Sequence, residues 1–67
     1  MMLRVWWKEM TDAWTPKPTG KTLTGIVVGY DGYHVDCLVV RRDDGKFENV
    51  DQDDEDVFIK SEWVDRP

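Results

Sequence analysis

Two Asp-Gly pairs set between alternating apolar segments constrain this chain more than any other feature. Asp31-Gly32 follows Gly25-Ile26-Val27-Val28-Gly29-Tyr30 and precedes Tyr33, and Asp44-Gly45 separates Val39-Val40 from Phe47 and Val50. Asp-Gly favours a type I′ turn, which needs positive φ at both central residues, so each pair predicts a tight hairpin. Together they predict an antiparallel meander over residues 22–30, 33–42 and 46–51. A two-residue turn at Asp31-Gly32 places Tyr30 opposite Tyr33, Val28 opposite Val35, Ile26 opposite Cys37 and Thr24 opposite Val39, all on one core face. A similar turn at Asp44-Gly45 places Val39 opposite Val50. The other face carries Leu23, Val27, His34, Asp36, Leu38, Val40, Arg42, Phe47 and Asn49 and is too apolar to be left wholly in water.

The flanking segments supply its cover. Leu3, Val5 and Trp7 alternate with Arg4, Trp6 and Lys8, which predicts a first strand over residues 2–8. Pro16, Pro18 and Gly20 then interrupt regular structure, giving a long loop over residues 9–21. Residues 51–56 form a polar connection, 57–60 a short last strand, 61–64 a closing turn and 65–67 a frayed tail. With 67 residues the chain makes one domain, 1–67, because so short a chain cannot divide its core. In element order, with the long loop after the first strand, it resembles an SH3-like small β-barrel. The expected fold is therefore all-β, a single SH3-like barrel of about five antiparallel strands with a three-stranded meander at its centre. The Gly25–Gly29 segment is also similar to the nucleic-acid-associated KOW-type barrels.

Charge divides the chain. Residues 1–42 hold six basic and four acidic side chains, a balance of +2, whereas residues 43–67 hold three and ten, a balance of −7. The net charge of −5 opposes binding to phosphates, which needs Lys and Arg to displace counterions, and favours a partner with a basic surface. One cysteine, Cys37, rules out an internal disulfide and points to a reducing, cytoplasmic location. No signal-peptide pattern and no apolar run of membrane-spanning length is expected from the sequence.

Three kinds of chemistry can be weighed on the residues. Asp51, Asp53, Glu55 and Glu62 occupy positions 1, 3, 5 and 12 of a calcium-loop spacing, but Asp56 stands where the bend needs glycine and a strand precedes it, so no metal or other cofactor is expected. His34 and Cys37 have opposite strand parity in the expected register, which argues against a nucleophilic dyad, and no catalytic residue is assigned. Aromatic anchors are better supported. Trp6, Trp7, Trp14, Tyr30, Tyr33, Phe47 and Trp63 exceed what so small a core can fully enclose, Trp14 lies beside prolines in the long loop, and Trp6, Trp14, Tyr30 and Tyr33 are the candidate anchors.

The acidic run completes the candidate surface with Asp51, Asp53, Asp54, Glu55 and Asp56. Extended, it would offer a carboxylate every ~3.3 Å, comparable with the ~3.4 Å phosphate rise of a DNA strand. In size and acidity the chain is similar to the small inhibitor proteins of phages, which occupy the basic groove of a host nucleic-acid enzyme. The expected function is non-enzymatic protein binding, in its sharpest form as an inhibitor or DNA mimic. The alternatives are a structural subunit of a larger assembly, or a nucleic-acid-binding barrel using Arg4, Lys8, Lys17, Lys21, Arg41 and Arg42.

Overall fold

In the computed structural model, which describes residues 1–33 and 37–65, five strands form one antiparallel sheet. They are β1 (Met2–Met10), β2 (Pro18–Asp31), β3 (Cys37–Arg42), β4 (Phe47–Asp51) and β5 (Phe58–Val64). The order across the sheet is β4-β3-β2-β1-β5, so β1 and β2 are central and β4 and β5 are its edges. The sheet is not closed into a barrel by hydrogen bonds. It is nevertheless strongly curled. In a flat sheet β1 and β4, three strand spacings apart, would be separated by roughly 14 Å. The Trp7 indole N–H, from β1, instead donates to Glu48 Oε2, from β4, at 2.8 Å.

The concave face holds the core. Val5, Trp7, Leu38, Val40 and Val50 are buried together, with Leu3, Leu23, Val27, Val57 and Phe58 packed around them. Gly25 permits the curl. A Cβ at that position would lie 2.4 Å from the Arg41 carbonyl oxygen and 2.6 Å from Val40 Cγ1, so only glycine lets β2 and β3 approach this closely.

Both turns depart from the two-residue expectation. At the second, the Gly45 N–H donates to the Arg42 carbonyl (2.9 Å) and the Arg42 N–H to the Lys46 carbonyl (2.8 Å), with Gly45 at φ 88°. This is a three-residue loop, a type I turn closed by a left-handed glycine, and it pairs Val50 with Leu38 rather than Val39. The first departs further. Asp31 belongs to β2 and pairs with Cys37, and Gly32 is not at positive φ, so residues 31 and 32 do not form a type I′ turn. Tyr30 pairs with Leu38, and Ile26 with Arg41 instead of Cys37. Val28, an expected core residue, has no partner where the register shifts between Val27 and Gly29, and it is exposed.

Hydrophobic patterning explains this outcome. At Ile26 and Val27 the β2–β3 register moves by four residues, an even number that keeps the two face groupings, whereas β4 slips by one against β3 and brings Val50 to the face of Leu38. The observed register buries Leu38 and Val40 against Val5 and Trp7, whereas the turn-based register would have used Thr24 and Val39 for the core. Thr24 is only half-buried and donates its hydroxyl to the Val5 carbonyl at 2.9 Å. Ile26 and Cys37 are buried as expected, but strand parity puts them on the convex face, outside the main cluster.

The ends of the sheet differ as well. β1 continues to Met10 and β2 begins at Pro18, so the loop shrinks from the expected 9–21 to residues 11–17. Pro18 is tolerated because it opens the strand, and Gly20, at φ 93°, lies where the β1–β2 register is irregular. Residues 61–64, expected as a turn, continue β5 along β1, pairing Ser61 with Val5 and Trp63 with Leu3.

Candidate functional site

The β1–β2 loop is built to present one side chain. Thr11 and Lys17 close its base, the Thr11 N–H donating to the Lys17 carbonyl at 2.8 Å and the Lys17 N–H to the Thr11 hydroxyl at 3.0 Å. Between them Trp14 is fully exposed (101%) instead of folding back over one end of the sheet. Its indole makes no contribution to the core, so what it contributes is surface.

Other aromatics are exposed elsewhere. Tyr30 (61%) ends β2 and Tyr33 (86%) follows it, with the Tyr33 N–H donating to Asp31 Oδ1 at 3.1 Å in an Asx-type turn. Trp6 is half-buried on the convex face, where Lys60 Nζ lies 4.5 Å from its ring centroid. That cation–π contact covers the ring in part. Phe47 and Trp63 are also exposed, although neither was among the candidate anchors. For Trp63 the signal was present, since Val57 to Val64 extends as a strand once residues 61–64 are not taken for a turn.

The acidic run takes a shape other than the extended one. Asp51 accepts the Asp54 N–H through its carbonyl and the Asp53 N–H through Oδ1. Asp54 repeats the pattern, with its carbonyl accepting from Val57 and Phe58 and its Oδ1 from Asp56. Residues 51–58 are thus two successive turns, and the even carboxylate spacing of an extended strand is absent. Asp51 and Asp54 spend an oxygen each on holding the backbone and are half-buried, whereas Asp53, Glu55 and Asp56 project into solvent. Glu62 is on β5 and pairs with Lys60 at 3.3 Å, apart from the run. Among the described residues no three His, Cys, Asp or Glu side chains gather so as to hold a metal ion.

Two of the basic side chains are committed internally. Arg4 reaches Asp43 at 3.2 Å and the Thr24 hydroxyl at 3.1 Å, and Arg42 bridges Asp44 (2.7 Å) and Glu48 (3.3 Å). A concavity of about 310 Å³ beside Ile26, Arg41, Arg42, Asp43 and Gly45 is open and partly charged. Cys37 is buried, and His34, on which the expected separation of the two side chains depends, lies outside the described residues. No known protein family, characterised protein or solved structure matches the chain.

Proposed function

We propose that this chain is a non-enzymatic protein-binding module of the SH3-like small-barrel type, in which aromatic side chains anchor a partner whose surface is basic. One observation carries the reading. Of eight aromatic residues, five (Trp14, Tyr30, Tyr33, Phe47 and Trp63) are exposed. Buried aromatic area is the main stabilising resource of so small a domain, so a sequence that keeps most of it outside has another use for it. The hairpin geometry at Trp14 supports this, because a closed loop base lowers the entropy lost when the ring docks.

The acidic turns add charge selectivity. Asp53, Glu55 and Asp56 form a compact negative knob that would steer and orient a basic partner. An inhibitor of a nucleic-acid enzyme remains the sharper form of this reading, acting as an acidic knob and not as an extended strand of phosphate mimics. Direct nucleic-acid binding is the weaker alternative, since Arg4 and Arg42 are already neutralised by carboxylates.

The test is capture of partners on immobilised wild-type protein, Trp14→Ala and the triple variant Asp53→Asn, Glu55→Gln, Asp56→Gln, with folding checked by circular dichroism. A protein held by wild type and lost from both folded variants is the expected result. Retention of the same proteins by all three refutes the assignment, and a salt-dependent gel shift with single-stranded nucleic acid favours the alternative.

A further inference from the structure

The outer edge of β5 is open, and its sequence is complementary to itself. Among the described residues β5 pairs with β1 on one side and with no strand on the other, so one row of its backbone groups is available to a further strand. Lys60 and Glu62 are about half exposed on one face, and Ile59 and Trp63 are exposed at 44% and 66%. An exposed edge carrying apolar side chains and only two charged ones is seldom left bare.

We propose that a second copy of this chain adds to that edge, β5 against β5, in an antiparallel pair about a two-fold axis at Ser61. The choice of centre follows from charge. A two-fold axis perpendicular to the sheet pairs residues symmetrically about one residue. An axis at Lys60 sets Lys60 against its own copy, and an axis at Glu62 does the same with two carboxylates. Centred on Ser61, each Lys60 faces Glu62 of the second copy, so the pairing makes two opposite-charge contacts.

The dimer joins two five-stranded sheets into a continuous one. A single strand pair buries less than the roughly 1,200 Å² of a standard stable interface, so the association is of the weak, concentration-dependent class. It shares only Trp63 with the protein-binding reading above, and Trp14 and the acidic turns, which test that reading, are on other elements.

Sedimentation velocity from micromolar to near-millimolar chain tests it. The wild type is expected to shift from one to two chains with concentration. Lys60→Glu and Glu62→Lys each put like charges opposite each other at two symmetric places and should weaken the dimer by about tenfold or more, and the double exchange should restore it. Oxidation of Ser61→Cys supplies an independent reading, since Cα atoms facing each other across an antiparallel pair are about 4.5–5.5 Å apart, within disulfide reach. It should cross-link faster than Lys60→Cys or Glu62→Cys, with circular dichroism confirming that each variant folds. A monomer at every concentration, a dimer indifferent to the single exchanges, or no preference for cross-linking at position 61 overturns the proposal.

Discussion

Replacing Gly25 by Ala tests the account of the fold at its tightest point. The added methyl would lie 2.4 Å from a backbone oxygen and 2.9 Å from the carbonyl carbon of Arg41, and ordinary contact begins near 3.4 Å. Relief requires β2 and β3 to part by about 1 Å, since a backbone carbonyl cannot swing aside as a flexible side chain can. Overpacking of this kind costs about 1–3 kcal/mol, and stretching one or two ladder hydrogen bonds adds about 1 kcal/mol each. The lower entropy of the unfolded alanine chain returns about 0.4–1 kcal/mol. A net loss of roughly 2–4 kcal/mol follows, which at about 4–8 °C per kcal/mol lowers the Tm by roughly 8–32 °C. Urea unfolding followed by tryptophan fluorescence measures it, with Gly29→Ala as the control. A methyl at Gly29 meets Val39 at 3.6 Å, an ordinary contact, and should change stability by less than about 0.5 kcal/mol. Equal midpoints for Gly25→Ala and wild type, or equal losses at both glycines, would refute the close-approach reasoning.

The other expectations are smaller. Gly45→Ala forces a Cβ into the left-handed conformation that closes the β3–β4 loop, and should cost about 1–2 kcal/mol in the same denaturation assay. Glu48→Ala leaves the buried Trp7 indole N–H without its acceptor and should cost about 1–3 kcal/mol, most of which Glu48→Gln recovers in urea titration. Asp43→Asn loosens a solvent-facing ion pair with Arg4 and should cost less than about 1 kcal/mol, the difference shrinking when the melt is repeated in high salt. Trp14→Ala removes a side chain with no part in the core, so thermal unfolding should be unchanged to within about 0.5 kcal/mol while partner capture is lost.

The alternation of Leu3, Val5 and Trp7, the β-branched run before Tyr30 and the turn chemistry around Asp44-Gly45 were enough to establish an all-β chain of about five strands. They also located Trp14 in an interrupted loop and the acidic connection before the last strand. Those features are local, because strand periodicity and turn preference act over a few residues. Register was not local. A strong Asp-Gly signal at Asp31-Gly32 yielded to the burial of Leu38, Val40 and Val50 against Val5 and Trp7, contacts between segments far apart in the chain. The same holds for the surface. Whether Trp14 is covered, whether residues 53–56 extend or turn, and whether Trp63 ends a strand depend on what packs beside them. The sequence by itself determined the kind of structure and the aromatic and acidic residues that compete for its surface. The curl of the sheet at Gly25 decided which of them stayed outside, because only a folded sheet has a concave side to fill.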